Sequence, residues 1–113
     1  MNILIIGQNT KIAKLFSYFC DNIYMVVDSS VANFRVYQEN TRYNPISTST
    51  DVTKIKSVLK RANEINKWVE DYSIDVVFTN EKISMIAAKL STLIYGNKVV
   101  LISTSHNSYA WIN

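Results

Sequence analysis

Four short runs constrain this chain more than any other feature. They are NILII (Asn2–Ile6), IYMVV (Ile23–Val27), DVVFT (Asp75–Thr79) and KVVLIS (Lys98–Ser103). A strand with one wet face alternates apolar and polar residues. These runs are apolar at nearly every position, so both faces must be covered. Strands buried on both faces belong to parallel sheets, and the covering material is helical.

The intervening segments supply it. Lys11–Cys20 places Ile12, Leu15, Phe16 and Phe19 at helical spacing, with Asn9 or Thr10 as candidate caps. A longer helix is expected over Val52–Asp71, capped by Asp51. Its apolar side is Ile55, Val58, Leu59, Ala62, Ile65 and Val69, and Lys56, Lys60, Arg61, Glu64, Lys67 and Glu70 face water. Lys60 and Glu64 are four residues apart and form a weak surface pair. Trp68 sits among these charges and packs at the helix edge. A third helix, Ile83–Ile94, carries Ile83, Ile86, Ala87, Leu90 and Ile94; small Ala87 and Ala88 let it pack close to the sheet, and Gly96 is placed to end it in the left-handed region. Ser29–Thr50 has no such order. Phe34–Tyr37 is a candidate short edge strand, and Asn44–Pro45 reads as a turn or extended step.

Strand and helix therefore alternate, which predicts an α/β fold: a Rossmann-like open parallel sheet of four or five strands with helices on both faces and right-handed crossovers. At 113 residues the chain forms one domain over 1–113. An apolar stretch, Tyr109–Ile112, begins after the last strand, and we expect the chain to be part of something longer.

Composition excludes several classes. Apolar residues make up 48% of the chain, so it has material for a core. Twelve basic and nine acidic residues leave a formal charge of +3, but the lysines are scattered, so no nucleic-acid partner is expected. No run is long enough to span a membrane, and the apolar N-terminus lacks the basic stretch of a signal peptide. Cys20, the single cysteine, fits a reducing compartment and a buried apolar role. One histidine and one cysteine do not make a metal site.

In open parallel sheets, ligands bind beyond the C-terminal ends of the strands. Four spots qualify: Gly7–Thr10, Asp28–Ser30, Thr79–Glu81 and Thr104–Ser108. GQNT after the first strand is not a G-x-G-x-x-G, and no P-loop exists, so no nucleotide cofactor is expected. Gly7 allows close approach of a ligand or merely makes a turn. Asp28 reads as a solvated strand-end carboxylate. Glu81 either stabilises the helix that follows it or accepts hydrogen bonds from hydroxyls. His106 both donates and accepts hydrogen bonds and titrates near neutral pH; a plain surface-loop histidine is the equal alternative.

The text DVVFTNEKISMIAAKLSTLIYGNKVVLISTSHN, from Asp75 to Asn107, resembles the N-terminal domain of the large retaining glycosyltransferase family built from two Rossmann-like domains, glycosyltransferase family 4. That family shows a DVVH-like strand, a helix with paired alanines and a leucine, a glycine, a PVV-type strand and a histidine. NILIIG resembles its first strand more loosely. The resemblance implies that His106 is the catalytic-site histidine near acceptor and transferred sugar. It implies that Gly7, Gln8, Asn80, Glu81, Asn107 and Ser108 bind substrate. The chain departs from the family in having Phe78 and Asn80 where histidines are frequent, and only one glycine in the first loop.

The resemblance further implies the acceptor-side half of an enzyme of the GT-B architecture. Such an enzyme moves a hexose from a nucleotide diphosphate sugar to a lipid-linked or polysaccharide acceptor. The donor-binding C-terminal domain is missing from these residues, so the chain alone is expected to be inactive. A cytoplasmic location with peripheral contact to anionic membrane lipid is the matching expectation. The alternative is a non-enzymatic α/β module that binds a small ligand or a protein through the same strand ends. The two differ in one feature: a half-enzyme exposes an apolar face, near His106 and Trp111, where the missing portion packs.

Overall fold

The computed structural model describes residues 1–6, 10–28, 43–48, 55–79 and 82–103. In chain order these form β1 (Asn2–Ile6), α1 (Thr10–Phe16), β2 (Asn22–Asp28), β3 (Tyr43–Thr48), α2 (Ile55–Asp71), β4 (Val76–Thr79), α3 (Lys82–Tyr95) and β5 (Val100–Ser103). All pairings are parallel, and the five strands lie in the order β3-β2-β1-β4-β5. The α/β class and the Rossmann-like sheet expected from the apolar runs are what the chain adopts.

Each central strand feeds two cores. Ile3 and Ile5 of β1, Ile23 and Met25 of β2, and Val76 and Phe78 of β4 point to one face, where Ala13 of α1 packs with Ile12 and Phe16 beside it. Leu4, Ile6, Val26 and Val77 point to the other, under Ile65, Trp68 and Val69 of α2 and Ala87 and Ala88 of α3. This period of two on both faces explains why β1 and β4 read as unbroken apolar runs. Burying each large side chain contributes about 1.5–3 kcal/mol.

The helix placement follows from handedness. β1 leads to β2 in one direction across the sheet, while β3 to β4 and β4 to β5 travel in the other. Right-handed crossovers then place α1 on one face and α2 and α3 on the opposite face, as observed.

Several local expectations are settled or corrected. Of its two readings, Asn44–Pro45 takes the extended one, as part of β3, with Pro45 opposite Met25. Among the described residues β3 is an outer strand, so a residue without an N–H costs no ladder bond on the side away from β2. The Asn44 side-chain amide donates to the Ile23 carbonyl at 3.1 Å and supplements the pairing. α1 ends at Phe16 rather than Cys20; Tyr18 and Phe19 donate to Leu15 and Phe16 three residues back, which tightens the chain into turns. Its buried side is centred on Ala13, and Leu15 and Phe19 are exposed. On α2, Leu59 is exposed and Arg61 is buried, the reverse of the expectation. On α3, Ala87 and Ala88 are buried as expected, together with Ser84 and Ser91, but Ile83, Ile86 and Ile94 of the expected apolar side are exposed, as are Leu93 and Tyr95.

Gly96 ends α3 with φ at +71°, as its position predicts, and its N–H donates to Thr92 O at 2.9 Å. Phe34–Tyr37 and the caps assigned to Asn9 and Asp51 lie outside the described residues.

Candidate functional site

The sheet order locates the site. Connections run outward in opposite directions from β1 and from β4, so the strand order reverses between these two neighbours. At such a switch point, loops leave in opposite directions and a crevice opens beyond the strand ends. Ile6, the last residue of β1, is paired in register with Thr79, the last residue of β4, and Thr79 with Ser103, the last of β5. Neighbouring strand ends are about 5 Å apart, and β1 and β5 are about 10 Å apart.

The seven sequence-derived site residues follow these ends in the chain. Gly7 and Gln8 follow β1, Asn80 and Glu81 follow β4, and His106, Asn107 and Ser108 come after β5. All seven lie outside the described residues. What the fold brings together is their points of attachment: three adjacent strand ends on one edge of one sheet. Asp28 closes β2 on the same edge, two strands from β4.

Thr79 is the described side chain at the switch point. It is 1% exposed, and its Oγ1 has no hydrogen-bond partner among the described residues. By strand alternation it shares the α2/α3 face with Val77. Leaving a buried hydroxyl without a partner costs about 1–3 kcal/mol, so a threonine ending an otherwise apolar run is the sequence signal for this position.

A second polar cluster, missed by the helical wheel, sits one layer above. Thr48 Oγ1 at the end of β3 donates to Glu64 Oε2 at 3.3 Å. Glu64 Oε1 lies 3.4 Å from Arg61 Nε, and the Arg61 guanidinium stands 5.9 Å from the Trp68 ring centre. Arg61 is 5% exposed. Glu64 therefore pairs with the residue three before it instead of with Lys60. A buried guanidinium must be paired, and the spacing of Arg61 and Trp68, two helical turns apart on one face, was the available clue. The cluster fastens the middle of α2 to the C-terminal end of β3.

Other candidate chemistry is absent from the described residues. Burial pushes the Cys20 thiol up, away from the thiolate range, and its surroundings are the apolar core under α1. Among the described residues, no three histidine, cysteine, aspartate or glutamate side chains cluster to hold a metal, and no helix is long and apolar enough to cross a membrane.

No family model matches the sequence, and no curated protein matches it. Solved structures do. A glycosyltransferase from Rickettsia africae ESF-5 superposes with a TM-score of 0.69 at 15% identity, over 96% of this chain and 32% of that one. The lipopolysaccharide outer core galactosyltransferase WaaB, in its apo form, gives 0.68 at 17% identity, over 94% of this chain and 33% of that one. The chain thus shares its fold with about a third of each of these proteins.

Proposed function

We propose that this chain is the acceptor-side part of a glycosyltransferase that moves a hexose from a nucleotide diphosphate sugar to a lipid-linked or polysaccharide acceptor. One observation carries the reading: nearly the whole chain superposes on two glycosyltransferases while spanning only a third of either. The text from Asp75 to Asn107, read as a family 4 N-terminal domain, supports it independently.

Sugar transfer requires the activated sugar to be held against the acceptor and the charge on the departing phosphate to be stabilised. On this reading the crevice between β1 and β4 receives the acceptor. Gly7 and Gln8 border the nucleotide-sugar site. Asn80, Glu81, Asn107 and Ser108 hydrogen-bond substrate hydroxyls, and His106 orients the attacking hydroxyl or contacts phosphate. A separate donor-binding domain supplies the other wall, so the chain alone does not turn over. The protein works in the cytoplasm, at most in peripheral contact with the membrane.

The test is a titration of the isotopically labelled chain with uridine, adenosine and guanosine diphosphate hexoses and with glycan and polyprenyl-phosphate acceptors. Amide shifts are expected at Ile6 and Thr79, with no nucleoside diphosphate released. Turnover by the chain alone overturns the requirement for a donor domain. No response at the β1–β4 edge to any of these compounds overturns the transferase reading itself.

A further inference from the structure

α3 is apolar on two sides. Its buried side consists of Ser84, Ala87, Ala88 and Ser91, small residues that let the helix lie close to its neighbours. Ile83, Ile86, Leu90 and Leu93 form a second row at spacings of three, four and three residues, with Ile94 beside it. At about 100° per residue, this row lies well around the helix from the buried one. Its residues are half-buried at Leu90 and exposed elsewhere, reaching 43% at Ile86 and 80% at Leu93. A three-four-three spacing is the seam by which one helix packs against another. A helix that is apolar on both sides belongs between two partners, and only one of its sides is occupied by described residues.

The neighbouring strand shows the same incompleteness. Among the described residues β5 pairs with β4 alone, and Val100 on it is 59% exposed. The crossovers from β3 to β4 and from β4 to β5 both place their helices on the α2/α3 face. A further unit added beyond β5 in the same direction would therefore bring its helix to that face, next to α3.

Charge selects the occupant. α3 carries Lys82 and Lys89, both exposed, on the flank of the seam nearest Ile86 and Leu93, and it contains no acidic residue. Lys98 follows it, also exposed. A second copy packed antiparallel through this row would set lysines against lysines, an unfavourable arrangement of like charges. We infer that the outer row of α3 binds an amphipathic helix with acidic residues flanking its apolar seam, supplied by an α/β polypeptide that continues the sheet at β5. The inference is independent of sugar transfer and holds or fails by itself.

The probe is a pair of synthetic three-heptad helical peptides, leucine at every seam position, with glutamate at all flanking positions in one and lysine in the other. Binding to the full chain is followed by amide shifts and calorimetry. The glutamate peptide is expected to bind at least about tenfold more tightly than the lysine peptide and to lose that advantage at high salt. The shifts are expected to map to Ile83–Leu93. The variants Ile86→Lys and Leu93→Lys change exposed positions and leave the fold intact by circular dichroism; each is expected to weaken the glutamate peptide by about tenfold or more. Equal binding of both peptides, binding of neither, or binding that survives Leu93→Lys overturns the inference. A dimer seen by light scattering and abolished by Leu93→Lys assigns the seam to a second copy and also overturns it. So does Leu93-dependent binding to phosphatidylglycerol vesicles without binding of the peptide, which assigns the seam to lipid.

Discussion

At the N-terminal edge of the sheet, polar groups are tied to one another; at the C-terminal edge, a buried polar group has no partner among the described residues. The Asn2 amide side chain donates to the Tyr72 and Ser73 carbonyls at 3.0 and 3.2 Å and accepts from Asn22 at 3.0 Å. Its backbone N–H donates to Asp75 Oδ2 at 2.8 Å, and Asp75 N donates back to Asn2 O at 2.9 Å. Val100 N extends the chain of bonds to Asp75 O, and the Met1 ammonium pairs with Asp21. Ser73 holds a φ of +51° to present its carbonyl here, a conformation costing an ordinary residue about 1–2 kcal/mol. β1, β2, β4 and β5 are thus stitched together at the edge remote from the candidate site. Thr79 stands at the other edge with its hydroxyl buried. One edge ties its polar groups into the fold; at the other, beside the topological switch point, the Thr79 hydroxyl finds no partner among the described residues.

Three substitutions press on this contrast. The largest effect is expected from Asn2→Ala, which removes the partner of two carbonyls and of the Asn22 amide; these bonds are part-buried or exposed, so the loss in urea unfolding should be about 0.5–1.5 kcal/mol. A cost near zero would mean that water replaces Asn2 without loss and that the edge is not stitched. Thr79→Val keeps the β-branched shape and removes the hydroxyl. Its stability should be unchanged or raised by up to about 1 kcal/mol. A clear loss in the same assay would show that the hydroxyl is already satisfied within the free protein, and the contrast would collapse.

The smallest effect is expected from Asp21→Asn, and it is a matter of pH. The hydrogen bond from the Met1 ammonium holds the Asp21 carboxyl below its usual range, while the same bond to Asp21 raises the ammonium. A lowered carboxyl stabilises above its unfolded value and loses that contribution as pH falls through the folded one. A raised ammonium stabilises below its unfolded value, 8.0, and loses the contribution as pH rises past it. The urea midpoints of the two proteins should therefore differ most at neutral pH and converge in acid and in alkali. Both groups are exposed, so the difference is small. A difference that grows toward either extreme would place the pairing elsewhere.

The same contrast explains which parts of the molecule were legible. β1, β2 and β4 were readable because burial on both faces leaves continuous apolar runs, a local signal; β5 reads as such a run too, although Val100 and Ser103 are exposed and Leu101 and Ile102 only half-buried. β3 was not readable, because an outer strand needs pairing on one side only and tolerates Asn44 and Pro45; of its described side chains only Ile46 is buried. Arg61 was misplaced because periodicity sorts residues by polarity, whereas Glu64 and Trp68 provide a buried home for a cation. For the site, the sequence indicated strand ends but not which strands are neighbours.

The sequence alone determined the class of fold: the alternation of doubly apolar runs with amphipathic stretches permits little besides a covered parallel sheet. It also determined where the chain turns, as at Gly96, since backbone conformation there depends on one residue. Only the tertiary structure decided the strand order, and with it the switch point between Ile6 and Thr79. Small Ala87 and Ala88 already pointed to close packing of α3 on the sheet; only the tertiary structure decided that Ile83, Ile86 and Ile94 are left exposed. Close packing of two helices and a sheet selects small side chains, and Ala87 and Ala88 win that contact over the larger Ile86 and Leu93.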